Sequence, residues 1–289
     1  MNQLTMPSTA QKVLPASTDG GLTHLLARCW AESRALVIGG VLLLLMLLPT
    51  WLLSVMQPHT VNGIDAYLKP MKFQLSLGLY LLCLAWLRSY LDAAGRQRML
   101  ALWTSAVPIV AGYGEVLYIL WRAAAGEGSH FNVSSPAASV AYTLMGVGAM
   151  LLVWASGALA ILMRRHPRPG VNAAWLASLC WGLWLTIILG GLAGIYLSGQ
   201  PGHAVGGLGG DAGGLPLTGW SRSGGDLRVA HFLGIHAMQF LPLAGWWLAR
   251  RWPERQALLG VHAVGVAYVV LTALTFVQAV AGMPLLFGL

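Results

Sequence analysis

Charged residues are scarce in this chain. Asp, Glu, Lys and Arg together make up 9% of its 289 residues, whereas hydrophobic residues make up 57%. Soluble domains usually contain about 25% charged residues, and a chain with so few could not cover its surface with polar side chains. The composition therefore excludes an ordinary soluble protein and predicts one membrane domain whose apolar surface faces lipid.

Cysteine motifs and nucleotide-binding motifs are lacking as well. The three cysteines, Cys29, Cys83 and Cys180, form no CxxC pair, so the sequence predicts neither a disulfide framework nor a thiolate metal site. A glycine-rich stretch at about residues 198–228 lacks the GKS or GKT ending of a phosphate-binding P-loop. We interpret this stretch as an external loop, either a flexible lid over an outward-facing site or a flexible linker.

What the sequence does contain is seven apolar segments, each long enough to cross a membrane as a helix of about 20 residues. The predicted fold class is therefore all-α, a bundle of seven transmembrane helices within residues 31–289. Residues 1–30 are polar, and we expect them to form a loosely ordered cytoplasmic tail. The predicted spans cover residues 35–56, 70–91, 99–125, 136–163, 171–197, 229–249 and 256–286.

The basic residues predict the orientation, because Lys and Arg concentrate on the cytoplasmic side of a membrane. With seven spans, the 17 basic residues divide into twelve on one side and five on the other. This predicts a cytoplasmic N-terminus and an external C-terminus in the inner membrane of a bacterium. Orientation explains the net charge of +8, so we expect no nucleic-acid partner. The five external residues are Lys69, Lys72, Arg122, Arg222 and Arg228.

Span 2 begins with two of the three lysines in the chain, Lys69 and Lys72. If the helix extends back across Pro70, Asp65 shares a face with both lysines and pairs with Lys69. One interpretation is that the lysines reach outward to the membrane interface. The other is that they bind an anion or a polar head group.

Span 3 carries a carboxylate, Glu115, at a depth where lipid should surround it. A buried charge is costly unless it is protonated, paired or bound to a metal. Tyr118 and Arg122 lie near the same helical face, and His130 follows at the membrane surface. Glu115 is therefore either part of a structural ion pair with Lys72 or Arg122, or part of a functional site.

Span 6 has the densest group of polar residues, in the string GGDLRVAHFLGIHAMQF. Asp226 and Arg228 lie at its outer end, and His231, His236 and Gln239 lie progressively deeper. His236 and Glu115 are at similar depths, so the two side chains meet if spans 3 and 6 are neighbours. A carboxylate beside an imidazole is suited to acid–base chemistry or to a metal ion.

A transition metal, namely zinc, iron or copper, is the cofactor that this residue set favours. The predicted ligands are Glu115, His130, His231 and His236. Haem is disfavoured, because His262 in span 7 lies near the cytoplasmic side and cannot complete a two-histidine clamp with the span 6 histidines.

Three strings, NGIDAYLKPMKF, SHFN and GGDLRVAHFLGIHAMQ, resemble those of a group of uncharacterised bacterial multi-pass membrane proteins. The resemblance covers most of the chain from about residue 62. It implies a multi-pass membrane fold and implies no mechanism, because no activity is assigned to that group.

These observations favour a membrane-embedded enzyme with an outward-facing site between spans 2, 3 and 6. A metal-assisted or acid–base reaction on a lipid-soluble or periplasmic small molecule would fit. The predicted catalytic pair is Glu115 and His236. The alternative is a transporter, small-molecule sensor or assembly factor that uses the same pocket for binding. The predicted ligand-binding residues are Lys69, Lys72, Tyr118, Arg122, Asp226, Arg228 and Gln239.

Overall fold

A computed structural model of the chain describes residues 21–208 and 211–286. Seven of its helices are long and apolar enough to cross a membrane, which confirms the predicted all-α, multi-pass membrane fold. The helices are α1 (Gly21–Glu32), α2 (Arg34–Leu45), α3 (Leu47–Met56), α4 (Leu68–Arg88), α5 (Ala93–Arg96), α6 (Met99–Ala124), α7 (Pro136–Arg165), α8 (Ala173–Leu185), α9 (Gly191–Ser198), α10 (Leu227–Arg251) and α11 (Glu254–Val280).

Each span corresponds to one helix or to a run of adjoining helices. Span 1 comprises α2 and α3, and spans 2, 3 and 4 are α4, α6 and α7. Span 5 runs from α8 to α9 through a π-helical segment, Thr186–Gly190. Spans 6 and 7 are α10 and α11. Because the number of spans is odd, the start of span 1 and the end of span 7 lie on opposite sides of the membrane. We call these sides cytoplasmic and outer, following the predicted orientation.

The predicted tail covers residues 1–30, and the structure shows a helix in its last part. Residues 1–20 lie outside the described residues, but Gly21–Glu32 forms the helix α1. Leu25 and Cys29 recur one turn apart and pack against the core of the bundle, where Cys29 is buried. The prediction missed this helix because its short apolar face follows a polar stretch rich in Ser and Thr.

Side-chain caps and prolines set the ends of several helices. Ser135 caps span 4 ahead of Pro136, and Asn172 caps span 5. Such caps satisfy backbone N–H groups that have no partner within the helix. Span 1 breaks at Met46 between its two helices, because Pro49 has no N–H to donate to the carbonyl one turn earlier.

Glycines allow the closest approach between neighbouring spans. A Cβ atom on Gly234 in span 6 would lie 2.5 Å from the backbone nitrogen of Gly190 in span 5. A Cβ atom on Gly40 in span 1 would lie 2.8 Å from the carbonyl oxygen of Gly78 in span 2. Small residues at such crossings let helix backbones pack directly in lipid.

Two short β-ribbons cover the outer end of the bundle. Strands β1 (Thr60–Val61) and β2 (Ile64–Asp65) form a hairpin, and β3 (Ala204–Val205) pairs with β4 (Gly225–Asp226). The second ribbon closes the glycine-rich loop between spans 5 and 6. The N–H of Asp211 in that loop donates to the carbonyl of Asn62 in the hairpin at 3.1 Å. The loop is therefore folded onto the connection between spans 1 and 2.

Candidate outward-facing site

Glu115 is buried within the bundle, and among the described residues it lacks the hydrogen-bond partners that a carboxylate normally has. Its side chain points from span 3 towards span 4, where an ideal Cβ on Gly148 would lie 2.9 Å from Oε1. The residue is 5% exposed, and Oε1 accepts no hydrogen bond from any described residue. The absence of a side chain at Gly148 thus makes the room that this carboxylate occupies.

Lys69 is the charged residue that interacts electrostatically with Glu115, and it lies nearer the outer side of the bundle. It is the second residue of span 2 and is half-buried. Its ammonium group interacts electrostatically with Glu115 and with Asp211 and Arg228 of the overlying loop region. Among the described residues none forms a hydrogen bond or a close ion pair with it. Lys69 therefore lies between the buried carboxylate of Glu115 and the charged residues of the overlying loop.

His130 lies beside Lys69 in the connection between spans 3 and 4. Its ring centroid is 5.7 Å from that of Phe73 and 6.0 Å from that of Tyr142, and Nδ1 lies 3.1 Å from the buried hydroxyl of Ser129. Burial lowers the pKa of His130 well below that of a free imidazole, and the nearby Lys69 lowers it further. These surroundings favour the neutral imidazole, which can accept or donate a hydrogen bond.

His231 enters the same region from span 6. Its Nδ1 lies 3.1 Å from the carbonyl oxygen of Gly190, at the end of the π-helical segment. A hydrogen bond from Nδ1–H to that carbonyl fixes the tautomer and leaves Nε2 as an acceptor. The ring packs against Gly194, where an ideal Cβ would lie 3.0 Å from Cε1. His231 and His130 interact electrostatically, so both histidines belong to one cluster with Lys69 and Glu115.

The structure does not bring together Glu115 and His236, the pair predicted to be catalytic. Span 6 packs on spans 5 and 7, whereas span 3 packs on spans 2 and 4. The ring of His236 instead stacks on Phe232, with centroids 4.2 Å apart, and interacts with Gln239 one turn deeper. Similar depth in the membrane was therefore insufficient to make them neighbours.

The other residues predicted around Glu115 also have different partners. Arg122 forms an ion pair with Glu127 at the outer surface, and Tyr118 packs its ring on Trp121 at 5.9 Å. Lys72 is exposed, and its Nζ donates to the carbonyl of Thr218 in the glycine-rich loop at 3.1 Å. None of these contacts involves Glu115.

Asp65 likewise does not pair with Lys69, because the helix of span 2 begins at Leu68 and does not extend back to it. Asp65 lies in β2, where it accepts hydrogen bonds from the hydroxyl of Ser54 at 2.5 Å and from the N–H of Tyr67 at 2.8 Å. It therefore holds the turn that leads into span 2.

Arg228 and Asp226 hold the glycine-rich loop over the cluster. Arg228 donates to Asp226 Oδ2 at 2.7 Å, to Asp211 Oδ1 at 2.7 Å and to the carbonyl of Gly219 at 2.6 Å. His203 Nε2 lies 3.2 Å from Asp211 Oδ1. These contacts join both ends of the loop to the start of span 6, so Arg228 and Asp226 are positioned to organise the loop.

Burial alone would raise the pKa of Asp211. The contact with His203 and the charge of Arg228 outweigh burial and hold the pKa of this carboxyl well below its usual range. Asp211 and His203 were not predicted as site residues. Each stands singly in a loop of glycines, so no local pattern marked them, and their pairing arises only from the folding of the loop.

The structure places the predicted metal ligands in the same outer half of the bundle but not in one ligand set. In the part of the chain that it describes, no group of three or more His, Cys, Asp or Glu side chains is close enough to hold a metal ion. His262 in span 7 accepts a hydrogen bond from Nε1 of Trp181 at 2.9 Å.

Comparison of the chain with protein-family models, with curated proteins and with solved structures gives no significant match.

Proposed function

We propose that this integral membrane protein is an enzyme that carries out acid–base chemistry on a lipid-soluble or periplasmic small molecule. The observation that carries the proposal is the pair formed by Glu115 and Lys69. The carboxylate is buried without a hydrogen bond, and the ammonium group that reaches it has no close partner among the described residues. Buried polar groups are nearly always hydrogen-bonded, so a bound molecule is expected to supply the missing partners.

The chemistry follows from the roles that these groups can take. Glu115 would accept a proton from the bound molecule, and Lys69 would stabilise the negative charge that develops. The protonated Glu115 would then return that proton at a second position, and the neutral imidazole of His130 would form a hydrogen bond with the bound molecule. His231, with Nδ1 held by the Gly190 carbonyl, would accept a hydrogen bond through Nε2 and orient the molecule.

We favour the acid–base form of the enzyme over the metal-assisted form. Lys69 lies within electrostatic reach of both Glu115 and His130. A positive charge at that position would repel a divalent cation bound by the same carboxylate and imidazole, with an energy that rises in a site of low dielectric constant. The same charge favours a bound molecule that becomes negative during the reaction.

The proposal includes an outward-facing location in a bacterial inner membrane. The arginine-rich connections lie on the side opposite to the cluster, which supports this orientation because Arg and Lys are retained on the cytoplasmic side. The folded glycine-rich loop would then close the site from the periplasm. The lipid bilayer would surround the spans, because large apolar side chains on them are exposed, among them Leu45, Leu48 and Leu117.

The test compares the small molecules and lipids of cells that produce equal amounts of wild-type protein, Glu115→Gln or Glu127→Gln. Glu115→Gln keeps the size of the side chain but removes its proton-accepting capacity, so the substrate should accumulate and the product should fall at least tenfold. Glu127→Gln is the matched control, because this outer carboxylate pairs with Arg122 and lies outside the cluster. It should behave as wild type.

A molecule that copurifies with the wild-type protein, is lost in Glu115→Gln and is not converted would instead establish a binding role. Identical profiles for wild type and Glu115→Gln, together with no copurifying molecule, would show that the proposal is wrong. Lys69→Met offers an independent check, because it removes the charge that stabilises the reacting anion while leaving Glu115 in place.

A further inference from the structure

Arg88 is buried at the arginine-rich end of span 2, far along the helix from Lys69. The residue is 5% exposed. Its Nη1 donates to the carbonyl of Ala101 and to the hydroxyl of Thr104, the latter at 3.1 Å. Both acceptors belong to the first turns of span 3, so one nitrogen of the guanidinium group fastens span 2 to span 3.

The other edge of the same guanidinium group has no partner among the described residues. Nε is buried and donates to no described residue. Nη2 likewise forms no hydrogen bond in the described parts of the chain, and it is not among the atoms fully sealed from solvent. Nε–H and Nη2–H point in the same direction, and this edge is one that binds a carboxylate or phosphate through two parallel hydrogen bonds.

Positive charge is in excess around this edge. Arg96 and Glu32 are the charged groups that act on Arg88, but Glu32 is already paired with Arg96 at 2.9 Å. Arg28 lies alongside, with Nη2 donating to the hydroxyl of Ser89 at 2.8 Å. Among the described residues, Arg88 and Arg96 both interact with Glu32, and Arg28 is a third guanidinium group nearby.

The neighbouring aspartate does not neutralise Arg88 either. Asp92 caps the short helix α5 through the N–H of Gly95 at 2.6 Å, and its other oxygen lies 3.7 Å from Nδ1 of His166. Removing a charge from water is costly unless a partner of opposite charge replaces the lost hydration. A guanidinium group that is fixed through Nη1 and has no partner among the described residues on its Nε–Nη2 edge is suited to an anion that arrives from outside the chain.

We propose that the Nε–Nη2 edge of Arg88 binds one phosphate group at the arginine-rich, cytoplasmic face of the protein. The phosphate belongs either to the headgroup of a membrane phospholipid or to a free phosphate ion. The last residue of a spanning helix lies near the headgroup level of the bilayer, so both sources can reach it. This site is separate from the Glu115 cluster and does not rest on the proposed function.

The test uses purified full-length protein in a maltoside detergent and phosphate-free buffer. Inorganic phosphate and phosphatidylglycerol are titrated in separate experiments, and the thermal unfolding midpoint and the number of lipids retained in native mass spectrometry are measured. We compare wild type with Arg88→Lys and with Arg98→Lys. Arg98 is an exposed arginine on the same face, so it serves as the matched control.

Wild type and Arg98→Lys should show saturable stabilisation by at least one of the two anions. The apparent Kd should be at least tenfold weaker in Arg88→Lys, because an ammonium group keeps the charge but cannot form the paired hydrogen bonds. A response to phosphatidylglycerol only assigns the phosphate to a lipid, and a response to inorganic phosphate assigns it to a free ion.

Absence of saturable binding of both anions to wild type would overturn the proposal, as would equal affinity in Arg88→Lys and wild type. If Arg88→Lys does not fold, the same titrations are made with Thr104→Val, and affinity equal to that of wild type would overturn the proposal. This variant removes one acceptor that fixes the guanidinium group but leaves the charge, so binding should weaken while the chain stays folded.

Discussion

Glu115 and Gly148 lie so close together that a Cβ atom on Gly148 would stand 2.9 Å from Oε1 of Glu115. The glycine in span 4 thus determines where the carboxylate of span 3 can sit. This relationship gives a direct way to move Glu115 without changing its chemistry.

Gly148→Ala should therefore reproduce the effect of Glu115→Gln in the comparison of cellular metabolites. The added methyl group displaces the carboxylate, whereas alanine favours the helix over glycine by about 0.5–1 kcal/mol, so the thermal midpoint should change little. Gly146→Ala is the matched control, because an ideal Cβ at Gly146 meets no atom within 4 Å. Equal activity of both variants would contradict the importance of this contact.

The glycine-rich loop should control access of water-soluble reagents to Glu115. An ideal Cβ on Gly63 in the outer hairpin lies 3.0 Å from Cβ of Ala212 in the loop, and Gly63 has a φ of +81°. A small shift of the turn would relieve the strain of a side chain at Gly63 and bring the pair to the Cβ separation of about 3.5–4.5 Å in a disulfide. We expect Gly63→Cys with Ala212→Cys, in a chain without its native cysteines, to cross-link on mild oxidation. Labelling of Glu115 by a water-soluble carbodiimide should then fall several-fold and recover on reduction.

The control for this cross-link is Gly63→Cys with Gly202→Cys, because an ideal Cβ at Gly202 has no atom within 4 Å. That pair should remain reduced under the same conditions. Rapid labelling of Glu115 in the oxidised, cross-linked protein would mean that reagents reach the cluster by another route, and the loop would then not act as its lid.

The contribution of Asp211 to stability should depend on pH. Its partners His203 and Arg228 hold its pKa well below the usual range against the effect of burial, and Lys69 is a further positive group that acts within this region. A carboxyl whose pKa is lowered by folding stabilises the protein above its unfolded pKa of about 3.9 and loses that contribution as pH falls further.

The thermal midpoint of Asp211→Asn should accordingly lie below that of wild type at pH 7, by about 2–4 °C for each kcal/mol lost. The difference should shrink at pH 3.5. Glu127→Gln provides the comparison, because the Glu127 side chain is 52% exposed and its ion pair should contribute little. A difference between wild type and Asp211→Asn that stays constant from pH 7 to pH 3.5 would disagree with this assignment.

Gly234→Ala should weaken the packing of span 6 on span 5. Its Cβ would lie 2.5 Å from the backbone nitrogen of Gly190, and backbone cannot move aside as a flexible side chain can. Overpacking of this kind costs about 1–3 kcal/mol, so the thermal midpoint should fall by several degrees. Gly114→Ala, whose ideal Cβ has no atom within 4 Å, should not lower it; equal losses in both variants would refute the explanation.

The spans and the polar residues of the outer half were predictable because each depends on a short stretch of chain. Lipid offers no hydrogen bonds, so every crossing segment must be an apolar helix that satisfies its own backbone. The polar residues within those segments stand out for the same reason. Glu115 and His231 stand out in this way, whereas His130 was predicted because it follows span 3 at the membrane surface.

The partners of those residues were not predictable in the same way. Counting residues along a helix gives the depth of a side chain but not the helix that faces it. Glu115 and His236 have similar depths, yet spans 3 and 6 pack on different neighbours. Arg122 follows Glu115 by two helical turns but forms its ion pair with Glu127 at the surface.

The sequence by itself determined the seven spans, the uneven distribution of arginine and the depth of each polar residue. The tertiary structure decided that Lys69 lies within electrostatic range of Glu115, that the loop closes through Asp211, and that Gly148 and Gly190 shape the cluster. The physical reason is that a glycine contributes space or a backbone carbonyl rather than a side chain. Its role becomes visible only when another helix occupies that space.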